Sequence, residues 1–396
     1  LSLWQPVYYH MVYLQQGNGI SHLYCPAPKH ATIEKIPTET IMNPSQARLG
    51  SLDALRGLAA LGVVLFHYLP YYDKLFGHEF EIPQLLTDTL LFGRYGVHLF
   101  FILSGFVIFM TLERTRNAVW FGLARGIRLM PALWAGIALT FISVHLFGPE
   151  SRAVSLETAL LNATLLHEYL GAEHVDGAYW SLVIEVTFYS WMALLFYSLR
   201  DWSRLRIAFW LWMLVSYAGV IWWKHIPESM EFLVKDLMFV KYAPLFIGGM
   251  LIFRIYQYGR PAAADAALLA LAVCHGLFAY KLPYSLFVLG CFGTFALAVS
   301  GHLNWLANKP MLWLGSLSYS LYLVHQNIGY GVITLSYNAG LPGWLGVSLA
   351  TVTALLLASL IHYSVEKPAQ RRFRAWRSRA ETAQSFKAPA KVTDLP

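Results

Sequence analysis

Residues 52–69 read LDALRGLAALGVVLFHYL, and this stretch decides the fold class. Apart from Asp53, Arg56 and His67 it is apolar or aromatic, as an α-helix crossing a bilayer through about 20 residues must be. The rest of the chain repeats the theme. Of 396 residues, 57% are hydrophobic, 15% aromatic and only 13% charged, whereas a soluble domain carries about 25% charged residues. The mean hydropathy is +0.48. We therefore expect an all-α polytopic membrane protein. About ten transmembrane helices fall near 52–71, 95–112, 129–148, 179–199, 206–223, 237–256, 264–280, 283–300, 311–335 and 344–365. No repeat recurs along the chain and no soluble domain is left between the spans, so residues 42–370 are expected to form one membrane domain.

Arginine and lysine set the orientation. Arg114, Arg116, Arg125 and Arg128 follow the second span, and Arg200, Arg204 and Arg206 follow the fourth. Arg254 and Arg260 follow the sixth. Lys367, Arg371, Arg372, Arg374, Arg377 and Arg379 follow the tenth and open a basic cytoplasmic tail at 371–396. The opposite link at 149–178 carries Glu150, Glu157, Glu168, Glu173 and Asp176 against Arg152 alone. Positive charge gathers on the cytoplasmic side, so both termini are expected there. The net charge of +7 is then a topology signal, and no nucleic-acid partner is implied.

The first forty residues contain no charged lead followed by an apolar core, so they are not a signal peptide. Met42 begins a short basic approach to the first span. Residues 1–41 are expected to be an upstream extension or disordered. Cys25, Cys274 and Cys291 are too few and too scattered for a disulfide framework or a metal site.

Ionisable groups inside spans are costly and mark functional sites, unless they sit at helix ends and reach the interface. Arg56 and His67 are eleven residues apart, close to three turns, so they share a face about 16 Å apart along the axis. Arg56 can reach the cytoplasmic edge; His67, about 20 Å from it, cannot. Gly57 and Gly62 thin this helix for close contact. Glu185 lies in YWSLVIEVTFYSW, about 9 Å inside the outer interface, with Val186 beside it. In the ninth span, LGSLSYSLYLVHQ, Ser318, Tyr322 and His325 fall on one face. His67, Glu185 and His325 come out at similar depth, which fits a shared reaction centre. Arg125 and Arg128, in WFGLARGIRLMPALW, are expected to precede or open the third span, with Pro131 in its first turn. Spaced by three, they make a cationic fork suited to phosphates; the positive-inside bias alone is the plainer reading. In the second span the Ser104–Gly105 pair marks a close helix contact, and His98 is either interfacial or functional.

Together, the Arg-x10-His of the first span, GVHLFFILSGF, RGIRLMP, WSLVIE, LGSLSYSLYLVH and SVEKP resemble the bacterial membrane-bound acyltransferase-3 family. That family includes O-acetyltransferases of O-antigens, exopolysaccharides and nodulation factors. The likeness covers roughly residues 51–370. It implies a ten-helix domain in the bacterial inner (plasma) membrane that takes an acyl group, usually acetyl, from cytoplasmic acyl-CoA to a carbohydrate hydroxyl. The donor would be a substrate, with no tightly bound cofactor and no metal. By motif, Arg56 and His67 would be the essential pair, Arg125 and Arg128 the arginine fork, Glu185 the carboxylate, and His325 the histidine closing the ninth-span motif. Two positions depart from the pattern: His98 stands where many members have an acidic residue, and Val186 where many have a second glutamate.

On this reading His67 is the catalytic base, with Glu185 orienting it or holding its positive charge. Arg125 and Arg128 bind the nucleotide phosphates and Arg56 guides the pantetheine arm or holds a phosphate. Tyr322 or Ser104 is the candidate donor to the oxyanion. Two other classes compete. A proton-coupled transporter of a small anionic solute would also bury His, Glu and Arg, but the chain shows no internal repeat. A non-catalytic scaffold leaves the buried His and Glu unexplained.

Overall fold

The computed structural model describes residues 44–387 other than residue 79; the readings of Met42 as the start and of 1–41 lie outside them. Among the described residues every regular element is helical. The main helices are α1 (Pro44–Phe66), α2 (Gly96–Glu113), α3 (Ala118–Phe147), α4 (Trp180–Leu199), α5 (Trp202–Ile221) and α6 (Ala243–Tyr258). They are followed by α7 (Ala263–Cys274), α8 (Tyr284–Val299), α9 (Lys309–Val324), α10 (Gln326–Asn338), α11 (Gly343–Ile361) and α12 (Lys367–Lys387).

Six described helical runs are long and apolar enough to cross a bilayer: Gly50–Phe76, Gln84–Glu113, Ala118–Phe147, Gly177–Leu199, Trp202–Ile221 and Gly343–Arg379. Two of the other expected spans, 264–280 and 283–300, are shorter apolar helices. The span expected at 237–256 becomes α6, and the one expected at 311–335 is two helices, α9 and α10, parted at His325. Large apolar side chains also face outward. Leu146, Leu214 and Leu356 are 76%, 67% and 66% exposed, which suits contact with lipid tails in place of water.

Glycines set the two closest helix crossings, as packing in lipid favours. A Cβ on Gly315 of α9 would lie 2.1 Å from the Asp53 carbonyl of α1, and one on Gly57 would lie 2.7 Å from Gly315 N. Likewise a Cβ on Gly249 of α6 would meet the Ile102 carbonyl of α2 at 1.9 Å, and one on Gly105 the Phe246 carbonyl at 2.1 Å. The Ser104–Gly105 pair therefore does sit at a close helix contact. Around it, Phe106, Phe246, Met250 and Phe295 are fully buried.

The third span starts earlier than expected. Asn117 caps α3 by accepting from Trp120 N at 3.0 Å, so the helix runs well ahead of Pro131. Arg125 and Arg128 are thus helical residues on α3, and Pro131 lies inside the helix instead of opening it. Pattern reading placed the boundary where apolarity begins, but the cap lies eleven residues ahead of Arg128 and the helix needs no lipid there.

Candidate functional site

Helix α1 keeps its ladder until Pro70. Proline has no N–H to donate to the Phe66 carbonyl, and the chain widens into a π-helical turn over His67–Tyr71, a distortion frequent at functional sites. His67 opens that turn. His325 stands at the break between α9 and α10. The two irregularities meet: Tyr68 Oη donates to the His325 carbonyl at 2.6 Å, and His325 Nε2 lies 3.1 Å from His67 Nδ1.

The hydrogen positions of this pair follow from its acceptor-only neighbours. His67 Nδ1 lies 2.9 Å from the Val63 carbonyl, and His325 Nδ1 lies 2.9 Å from the Tyr322 carbonyl. A carbonyl only accepts, so both Nδ1 atoms carry hydrogen. In the neutral rings His325 Nε2 is then bare and accepts from His67 Nδ1, which is shared with Val63. His67 Nε2 keeps its lone pair and has no hydrogen bond to another described residue. His325 is fully buried, while His67 remains partly open.

A cavity of about 290 Å³ opens between α1, α2, α3, α4 and α9. Arg56, Ser104, Arg125, Arg128, Glu185, Ser318 and Tyr322 all line it, so residues singled out on each of these helices converge there. Arg56 does not hang free at the helix end: Nη1 meets Asp53 Oδ1 at 3.2 Å and Nη2 donates to Ser318 Oγ at 3.0 Å. Arg125 Nη2 donates to Thr111 Oγ1 at 3.2 Å, but its Nε is buried with no partner among the described residues. Arg128 makes no hydrogen bond to a described residue. An orphaned buried donor such as Arg125 Nε is rare in folded chains, and an anion in the cavity would satisfy it.

His67 and His325 do not line this cavity. Tyr322 stands between: its ring is on the cavity wall and lies 5.6 Å from the His325 ring between centroids. Of the expected layer, His67 and His325 pair with each other, whereas Glu185 lines the cavity and they do not. Glu185 accepts from Ser104 Oγ at 2.9 Å and from Tyr189 Oη, so its place beside the His67 imidazole is not realised. Both residues suggested as oxyanion donors are already engaged. Ser104 donates to Glu185, and Tyr322 Oη bonds the Ala178 carbonyl at 2.8 Å and Ser181 Oγ at 2.6 Å.

His98 is buried away from the cavity, with Nε2 2.7 Å from Tyr280 Oη and Nδ1 without a partner among the described residues. Sequence reading passed over Tyr189 and Tyr319, which also line the cavity. It also gave no role to Glu366 of SVEKP, which is buried and accepts from Ser320, His362 and Gln370 at 3.1, 3.0 and 3.1 Å. The quoted motif was the available signal for Glu366; the tyrosines read as ordinary core aromatics. Among the described residues no group of His, Cys, Asp or Glu could hold a metal ion.

The fold and site define a helical membrane protein with an arginine-lined cavity and a histidine pair that reaches its wall through Tyr322. The chain belongs to the acyltransferase-3 family: the model of that family, an acyltransferase domain, matches residues 49–363. This places its membrane domain among acyltransferase enzymes. The chain is 28% identical over 336 residues to the exopolysaccharide production protein ExoZ of Rhizobium meliloti (strain 1021), covering 78% of this chain and 96% of that one. It is 27% identical over 181 residues to nodulation protein 10 of Rhizobium leguminosarum bv. viciae, covering 40% and 47%. A putative peptidoglycan O-acetyltransferase of Bacillus subtilis (strain 168) is 26% identical over 383 residues, covering 76% and 55%. The matches thus span about half the length of two of these relatives and nearly all of ExoZ. No solved structure shows a significant match.

Proposed function

We propose that the protein is a membrane O-acyltransferase, an O-acetyltransferase in the first instance. It would move an acyl group from cytoplasmic acyl-CoA to a hydroxyl of a cell-surface or lipid-linked carbohydrate. The observation that carries this reading is the orphaned Arg125 Nε in a cavity it shares with Arg56 and Arg128. Such a site favours a phosphate-bearing donor, and the polysaccharide-related names of the relatives favour a carbohydrate acceptor. Arg125 and Arg128 would hold the phosphates and Arg56 the arm carrying the thioester. His67 Nε2, which has no hydrogen bond to another described residue, would take the proton from the acceptor hydroxyl. The hydroxyl oxygen would then attack the thioester carbon, the carbon–sulfur bond would break, and the departing thiolate would be reprotonated. The same reading gives ten spans, both termini on the cytoplasmic side and a place in the inner (plasma) membrane.

The test is protein purified into sealed lipid vesicles and given acetyl-CoA labelled in the acetyl group, with membrane glycans. Label appearing covalently in the glycan supports the enzyme. Uptake of a small anion into the vesicle lumen without any labelled glycan would replace it with the transporter.

A further inference from the structure

In an unbroken helix through 311–335 the Asn327 N–H would donate to the Leu323 carbonyl. It donates instead to Asp176 Oδ2, at 3.0 Å. The vacated Leu323 carbonyl accepts from Tyr179 Oη, also at 3.0 Å. Both halves of the broken ladder bond are therefore taken over by one short segment, the approach to α4. The Asn327 side chain returns the contact, Nδ2 donating to the Val175 carbonyl at 2.9 Å. Asp176 Oδ1 accepts from Ala178 N at 3.0 Å. Gly177 lies so close that a Cβ there would sit 2.6 Å from Gln326 Nε2. Asp176 is fully buried, a costly place for a carboxylate unless its hydrogen bonds are made.

The break these bonds create falls at His325, two residues before Asn327. We propose that Asp176, together with Tyr179, is a positioning residue for acyl transfer, holding the helix open so that His325 Nε2 stays against His67 Nδ1. It touches neither the cavity nor His67 and acts through the backbone of 323–327. Without it the Asn327 amide returns to Leu323, the helix closes through His325, and the His67 Nδ1 hydrogen loses the second acceptor that holds the ring in place. The proposal rests on the reading of His67 as the base.

The test compares Asp176→Asn, Tyr179→Phe, His325→Gln and the double variant Asp176→Asn/His325→Gln, reconstituted in lipid, for acetyl transfer and, separately, for acetyl-CoA binding. Each single change is expected to lower kcat about tenfold or more while donor Kd stays within about twofold. The double variant is expected to be no slower than His325→Gln alone, because residues acting as one unit are non-additive. Losses that multiply in the double variant overturn the proposal, as does unchanged kcat in both Asp176→Asn and Tyr179→Phe. Tyr179→Phe removes one hydroxyl only, so it decides the matter if Asp176→Asn does not fold. Absence of transfer by the wild type would instead defeat the enzyme reading, and the proposal with it.

Discussion

His325 Nε2 lies 3.1 Å from His67 Nδ1 although 258 residues separate them in the chain. Each imidazole is held at a helix irregularity, and each Nδ1 is tied to a carbonyl of its own helix. The pair thereby leaves one bare nitrogen, His67 Nε2, without a hydrogen bond to another described residue. Changing His325 to Ala is expected to cut acyl transfer at saturating donor by about 10–100-fold, the scale on which groups orienting a functional imidazole act. A His325→Ala protein with wild-type turnover would show that the pairing is incidental.

The cavity arginines separate binding from turnover. Each charged hydrogen bond contributes about 1.5–3 kcal/mol, so Arg125→Ala and Arg128→Ala should each weaken acetyl-CoA binding about tenfold or more. Calorimetric titration of the lipid-embedded protein checks this. If both variants bind as tightly as the wild type, the cavity does not hold the donor phosphates.

The crossing of α1 and α9 sets the position of Arg56. Placing a methyl group on Gly315 would bring it 2.1 Å from the Asp53 carbonyl, forcing apart the helices that the Arg56–Ser318 bond spans. Gly315→Ala should cost about 1–3 kcal/mol, as overpacking does, and lower the thermal midpoint in detergent. Gly126→Ala, with nothing within 4 Å of the new methyl, should leave it unchanged or slightly higher. Equal midpoints for the two variants would contradict the close crossing.

Asp176 brings a pH dependence from outside the spanning helices. Burial pushes its carboxyl up from 3.8 to about 6, opposed by the N–H groups of Asn327 and Ala178 and by the Arg152 charge. The folded protein thus holds this proton more tightly than the unfolded chain does. The stability it contributes is fully present below the unfolded value and is lost as pH rises through about 6. The unfolding free energy of the wild type should fall across about pH 4–7 relative to Asp176→Asn, whose amide does not titrate there, by on the order of 2–3 kcal/mol. A constant gap over that range would contradict it.

Much of this site could be read before any coordinates, for a physical reason. Polar groups in apolar helices stand out because lipid makes them costly, and Arg56, Ser104, Arg125, Arg128, Glu185 and Tyr322 do share one cavity. What escaped was tertiary. Depth along a helix axis says nothing of azimuth or of neighbours, so Glu185 was grouped with histidines when Ser104 and Tyr189 hold it. The single span at 311–335 was a fair reading of hydropathy, because its interruption comes from Asp176 and Tyr179 about 150 residues earlier in the sequence. Asp176 itself looked like one more acid in an acidic link, and its burial has no local signature. The start of α3 was misplaced because a capped helix extends past the apolar run that announced it.

His67 carries the proposed chemistry, and one rate measures its part in it. Wild-type protein and His67→Ala, both reconstituted in lipid, would be given labelled acetyl-CoA and glycan acceptor, with donor binding measured in parallel. His67→Ala is expected to bind acetyl-CoA as the wild type does but to transfer acetyl at least about 100-fold more slowly, as loss of a general base requires. Transfer at the wild-type rate by His67→Ala would contradict it.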